Sequence, residues 1–319
     1  MQVPFTSTTA YRLGLPLLLC AGLAACGGSD TQRAVRAATY STRCGLPEPS
    51  SETYRVNPPT GASCVGSATA FALDPARKDS YAPDPASQRA VQLRAWYPAS
   101  KPGQVTRAPY ASELVYEALP WPDPQHKPNG NALLNAPVAS GAKYPVLLFS
   151  PGNGLPVDVY AGMAEDLASH GYIVVAIEHP YITGPVQFPD GHVALGTDED
   201  TEAGLERRAA VMGADQRFAL TWLEQHQTDR SLPFAAAMDL ARVGAYGHSI
   251  GGAAALQTLR ADSRIKSAVN MDGTMWGDLT QPWTKPWMIL ASDRGADSTY
   301  DIFRNHPRSD SSLVVMKNS

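Results

Sequence analysis

Gly244-Ala245-Tyr246-Gly247-His248-Ser249-Ile250-Gly251-Gly252, followed by the alanine-rich run Ala253 to Ala255, decides how the rest of the chain is read. Val243 to Tyr246 is a short apolar stretch suited to a buried strand, and from Ile250 onward the pattern is helical. Between the two, Gly247-His248-Ser249-Ile250-Gly251 fits G-x-S-x-G, the nucleophile elbow. The spacing has a mechanical reason. A serine on a sharp strand-to-helix turn takes a strained backbone conformation, and flanking glycines let strand and helix pack closely. The turn lifts the hydroxyl clear of the sheet and aims the helix N-terminus at a reacting carbonyl, so the Ile250 amide becomes one oxyanion donor. A Gly-rich turn with a capping serine is the plainer alternative. The strand before, the helix after and the further glycine at Gly252 favour the nucleophile.

Working back from the elbow, Val146 to Ser150 is an apolar run that fits a strand buried on both faces. Pro151-Gly152-Asn153-Gly154 follows at once, a Gly-rich loop whose Asn153 N–H is the candidate second oxyanion donor. A helix over about 158–169 and a strand from Tyr172 to Ile177 come next. His179, at that strand's end, is expected to hydrogen-bond nearby backbone. Phe188 to Val193 reads as a hairpin around Asp190-Gly191, with His192 a solvated turn residue. The acidic stretch Thr197 to Glu202 complements the N-terminus of a long helix and needs no metal. In that helix Val211, Ala214, Phe218 and Trp222 recur at helical spacing and are expected in the core, with His226 near its negative pole. After the elbow, strands are expected over Ala268 to Met271, Trp287 to Ala291 and Leu313 to Met316, the first two ending at Asp272 and Asp293.

Upstream, Ser67 to Leu73 and Val91 to Tyr97 read as two early strands. Between Pro98 and Tyr144, prolines, glycines and asparagines exclude long regular elements. Tyr110, Tyr116, Trp121 and Leu134 there either line a site mouth or pack on the surface.

At 319 residues the chain suits one large α/β domain or two smaller ones. Its charged fraction of 18% and hydrophobic fraction of 44% allow a substantial core. A formal charge of -4 with no basic run argues against nucleic acid as a partner. No metal-ligand spacing, phosphate loop or dinucleotide fingerprint occurs, so no cofactor is expected. Residues 1–25 read as a signal peptide, with Arg12 before an apolar run that ends in Leu23-Ala24-Ala25-Cys26-Gly27. This segment resembles the bacterial lipobox, which implies lipidation of Cys26, anchoring to a membrane and a cell-envelope location. Plain secretion is the alternative. Residues 26–59 read as a flexible linker and 60–319 as the folded domain. Cys44 and Cys64 then remain as an even pair in an oxidising compartment, which reads as a disulfide, two free thiols being the alternative.

A serine hydroxyl needs a histidine to take its proton and a carboxylate to hold that histidine in the right tautomer. In this architecture the order is Ser, then Asp or Glu, then His. Asp272 and Asp293 both end strands after the elbow. IEHPY, QFPDGHV, ADQRFALTWL, DLARVGAYGHSIGGAAA and VNMDGTMWG, extended by LRAWYP and LLFSPGNG, resemble the platelet-activating-factor acetylhydrolase family, in its plasma-type, serine-dependent branch. The resemblance implies an α/β-hydrolase fold: a mostly parallel central sheet with helices on both faces. It also implies Asp272 rather than Asp293 as the acid, with oxyanion amides at Asn153 and Ile250. Where it departs is the histidine. None follows the last expected strand, and His306 precedes that strand beside Pro307. The chain is therefore expected to be a C-terminally truncated, inactive piece, without the histidine loop and final helix. The function expected of the whole is hydrolysis of short-chain or phospholipid sn-2 carboxylic esters through an acyl-enzyme. A lipase or polyesterase using Asp293, and a non-catalytic lipoprotein binding module, are the rivals.

Overall fold

The computed structural model describes residues 39–47, 56–101, 103–104, 106–119, 127–197, 199, 201–276, 282–293 and 310–317. The signal segment, Cys26, Trp121 and His306 lie outside them. Runs rich in β-branched residues and alanine, separated by turn residues, form strands β1 (Cys64–Lys78), β2 (Gln88–Ala99), β3 (Leu133–Leu134), β4 (Tyr144–Ser150), β5 (Ile173–Glu178), β6 (Val186–Gln187), β7 (Val193–Ala194), β8 (Met238–His248), β9 (Ile265–Met271), β10 (Trp287–Ser292) and β11 (Ser312–Met316). The helices are α1 (39–44), α2 (Glu113–Ala118), α3 (Ala161–Ser169), α4 (Glu202–Gln225) and α5 (Ile250–Ala261).

All strands but β6 and β7 join one sheet in the order β11-β10-β9-β8-β4-β5-β2-β1-β3. From β11 to β5 every pairing is parallel; β2 runs antiparallel to both β5 and β1. The parallel strands need crossover connections, and α3, α4 and α5 supply those that link β4, β5, β8 and β9. Side-chain alternation divides the core in two. In β5, Val174 and Ala176 face α3 residues Ala161, Ala164 and Ala168, whereas Ile173, Val175 and Ile177 face the side of α4 and α5. Burying each of the valine and isoleucine side chains stabilises the fold by about 1.5–3 kcal/mol.

The chain order reverses at β4: β5 lies on one side of it and β8 on the other. A crevice therefore opens beyond the carboxyl ends of β4 and β8, where α/β proteins place their ligands. Register brings the relevant ends level: Ser150 pairs with Gly247, His248 with Met271, and Met271 with Leu290.

Two expectations are corrected and one open alternative is decided. Residues 39–44, read as linker, form α1, whose Tyr40 and Cys44 are buried in the core. Cys44 is disulfide-bonded to Cys64 at the start of β1, twenty residues on. The buried stripe of α4 runs through Ala209, Met212, Ala219, Leu220 and Leu223, one position round from the expected one. The reason is polar: Arg208, Asp215 and Gln216 also face inward, where they find hydrogen-bond partners, and this turns Val211, Ala214, Phe218 and Trp222 to the half-buried flank. Tyr110, Tyr116 and Leu134 do not gather into a wall. Tyr110 packs on the α3-side cluster, the Tyr116 hydroxyl donates to the Pro128 carbonyl, and Leu134 is exposed. At the far edge of the sheet, Val314, Val315 and Met316 of β11 are also exposed. Among the described residues no helix is long and apolar enough to cross a membrane.

Candidate active site

Ser249 is the single residue between β8 and α5, and its backbone is at φ 53°, ψ -125°. A non-glycine residue in this region is strained by roughly 1–3 kcal/mol, so its surroundings must hold it there. Its amide donates to the Met271 carbonyl at 2.7 Å, and its own carbonyl accepts from the Gly252 and Ala253 amides. Two glycines of the motif are sterically required. A Cβ at Gly247 would overlap the carbonyl group of Gly251, and one at Gly251 would overlap the Ser150 carbonyl at the end of β4. The first turn of α5 is thereby pressed between its own strand and the neighbouring β4 loop. Ser249 stays half exposed at the top of the sheet.

The β4 loop approaches from the other side. The Gly152 amide donates to the Tyr160 hydroxyl at 3.3 Å and the Gly154 amide to the Ile182 carbonyl at 3.1 Å. The Asn153 amide, between them, is taken by no acceptor among the described residues. Ile250 opens α5, and the first amides of a helix have no intrahelical acceptor. Tyr160 ties the two segments together, its hydroxyl also meeting His248 Nδ1 at 2.8 Å. Burial pushes that phenol well above its ordinary range, so it stays neutral and hydrogen-bonded.

Asp272 follows β9 at φ 58°, with its amide donating to the Leu290 carbonyl at 2.8 Å. Its carboxylate accepts from the Ser292 amide at 2.9 Å and from the Ser292 hydroxyl at 2.8 Å. Because Ser249 N bonds Met271 O, the hydroxyl-bearing turn and the acid-bearing turn share one backbone junction. Asp293 lies one residue beyond Ser292 and is exposed.

Five histidines are described. His170 meets Thr60, His192 meets Asp190 and stacks on Phe188, and His226 meets the Trp222 carbonyl and stacks on its ring. His248 meets Tyr160. His179 corrects the expectation of a backbone partner. Its ring is fully buried, with Nε2 at 2.9 Å from Ser150 Oγ and Nδ1 at 2.8 Å from Asp215 Oδ2. The Asp215 carboxylate can only accept, so the neutral ring carries its proton on Nδ1 and its Nε2 accepts from the Ser150 hydroxyl, whose oxygen also accepts from Gln216 Nε2. Burial lowers the His179 pKa although Asp215 opposes it, and the ring is neutral. Burial would raise the Asp215 pKa, but Arg89 beside it at 2.7 Å holds it well below the usual carboxylate range.

Sequence reasoning missed Ser292, Tyr160 and the inward-facing polar residues of α4. Ser292 left a faint signal, as a hydroxyl at the end of the strand next to the one that carries Asp272. The residues of α4 left a clearer one: Arg208, Asp215 and Gln216 lie seven and eight positions apart, on a single helical face.

The comparisons with known proteins agree with this architecture. The family model described as "Platelet-activating factor acetylhydrolase, isoform II" matches residues 127–181, which include the 151–154 loop but not Ser249. A probable 1-alkyl-2-acetylglycerophosphocholine esterase from Arthroderma benhamiae is 34% identical over 179 residues, 51% of this chain and 43% of that protein. A platelet-activating factor acetylhydrolase from Cavia porcellus is 28% identical over 215 residues, 58% of this chain and 49% of that protein. The chain thus spans about half the length of the curated relatives it matches. The solved ferulic acid esterase from Streptomyces cinnamoneus superposes with a TM-score of 0.69 at 27% identity, covering 82% of this chain and 75% of that one. The resemblance to the platelet-activating factor acetylhydrolases and the α/β-hydrolase reading of the sheet are both borne out.

Proposed function

Given this kinship with esterases, we propose that the chain carries the active site of a serine carboxylic ester hydrolase of the platelet-activating factor acetylhydrolase type. The observation that carries the reading is the strained Ser249 at the strand-to-helix junction, with the Asn153 and Ile250 amides left over beside it. Ser249 Oγ attacks the ester carbonyl, and the two amides receive the developing oxyanion. Asp272 orients the imidazole that takes the serine proton and returns it to the leaving alcohol. Water then releases the acyl group by the same steps in reverse. The base comes from outside the described residues, and a protein without it keeps the oxyanion donors but loses most of its rate.

The substrates are short-chain esters or the sn-2 esters of phospholipids, in line with the names of the acetylhydrolase relatives. Export, lipidation of Cys26 and attachment to the bacterial cell envelope fit a lipid substrate met at a membrane surface. A fluorophosphonate probe followed by mass spectrometry of the full-length gene product tests the chemistry. The expected result is one adduct, on Ser249, competed by short-chain esters and lost in Ser249→Ala. A protein that binds ester but forms no adduct would instead be a binding module.

A further inference from the structure

The inward face of α4 touches the β4 loop at both ends. Gln216 Nε2 donates to Ser150 Oγ at 2.8 Å, where the strand ends, and Arg208 Nη1 donates to Asn153 Oδ1 at 2.6 Å, three residues on. Arg208 is 1% exposed, and its remaining bonds go to the Thr197 carbonyl and hydroxyl, with the Tyr81 ring 5.7 Å away. No carboxylate lies within ion-pair distance of it among the described residues. A buried guanidinium that spends its charge on neutral oxygens is costly, and an apolar residue would fill that space more cheaply. What the planar fork provides is direction. It grips the Asn153 side chain and the Thr197 backbone together, next to a peptide N–H that no acceptor takes among the described residues.

We infer that Arg208 is a positioning residue for the oxyanion site: through the Asn153 side chain it aims the Asn153 amide at the carbonyl above Ser249. This rests on the ester-hydrolase reading above. The Ser150–His179–Asp215 chain and Gln216 anchor the start of the same loop from beneath, and the Gly154 amide on the Ile182 carbonyl holds its far side, so what Arg208 adds is the grip on the Asn153 side chain between them.

The test uses the full-length protein, with active sites titrated by the fluorophosphonate so that folding losses do not count. Arg208→Met should lower kcat on a short-chain p-nitrophenyl ester about ten- to hundredfold, leaving KM within about twofold, because a misaimed oxyanion donor weakens only the transition state. Arg208→Lys, which keeps one donor, should recover part of the loss. Asn153→Ala removes the gripped side chain but not the amide; it should match Arg208→Met, and the double variant should be no slower than either single one. Unchanged kcat in Arg208→Met, or losses that multiply in the double variant, would overturn the inference. If Arg208→Met does not fold, unchanged kcat in Asn153→Ala, whose side chain is half exposed, overturns it equally. Turnover that survives Ser249→Ala is a different failure, that of the hydrolase reading itself.

Discussion

Ser292 holds Asp272 by two donors at once: its main-chain amide at 2.9 Å and its hydroxyl at 2.8 Å, from the strand next to the one that carries the acid. A carboxylate fixed in this way keeps one orientation while an imidazole comes and goes. Deleting only the hydroxyl, in Ser292→Ala, removes a charge-assisted bond worth about 1.5–3 kcal/mol in general and leaves the amide in place. The expected outcome is a loss of roughly tenfold in kcat for ester hydrolysis by the full-length protein, with a drop of about 3–12 °C in melting temperature. Steady-state kinetics beside a thermal melt would show it. An unaltered kcat would mean that Asp272 needs no such support.

The two aspartates separate cleanly by substitution. Asp272 is half buried and anchored, whereas Asp293 is exposed beyond the end of β10. Asp272→Asn should keep the geometry but favour the wrong imidazole tautomer, costing on the order of 10⁴ in kcat. Asp293→Asn should change it by less than about threefold. The reverse pattern would transfer the acid's role to Asp293 and with it favour the lipase or polyesterase reading.

Residues with strong local chemistry were legible in the sequence. Glycines 247 and 251 announce the elbow because no other residue fits where strand, helix and the β4 loop meet. The apolar run Val146 to Phe149 announces the central strand β4, and the Cys44–Cys64 pair forms a disulfide. What escaped depends on contacts distant in the chain. The partner of Asp272 lies twenty residues on, and that of Asn153 lies fifty-five residues on in α4. An inward arginine or aspartate also breaks the apolar period by which a buried helix face is recognised, which displaced the expected stripe of α4 by one position. His179 was underrated for the same reason: its value comes from Asp215 and Ser150, neither of them near it in sequence.

The disulfide joins α1 to the first residue of β1 across a loop of about twenty residues. Closing a loop of that size restricts the unfolded chain by roughly 3 kcal/mol. Replacing both cysteines by alanine should therefore lower the melting temperature by about 6–12 °C for a domain of this size. Activity at 25 °C should be retained, since neither sulfur is near Ser249. A melt that does not respond to the double substitution would show that the packing and hydrogen bonds of Tyr40 and Arg43 suffice to hold α1.

Stability should also fall across a narrow and unusual pH range because of Glu178. Its carboxyl is buried at the end of β5, and burial, reinforced by the charge of Asp158, pushes its pKa from the ordinary 4.5 up to about 8. The surroundings can accept the proton. Thr183 Oγ1, 2.8 Å from Glu178 Oε2, can receive a hydrogen bond from the acid while donating its own to the His179 carbonyl. A raised folded-state pKa means that the folded protein holds the proton more tightly than the unfolded chain. That contribution is complete below about 4.5 and is lost as pH rises towards 8. His179, lowered by burial, has the opposite sign: its contribution is present above the ordinary 6.5 and is lost as pH falls below it. His179 therefore opposes Glu178 below 6.5 and no longer does so between 6.5 and 8, where Glu165 and Asp158, also raised by burial, act in the same direction as Glu178. Thermal melts should show the midpoint dropping through that interval in the parent protein, and Glu178→Gln, which cannot lose a proton, should flatten the slope. A parent protein whose midpoint stays level from pH 6.5 to 8 would show that Glu178 is already ionised in the fold.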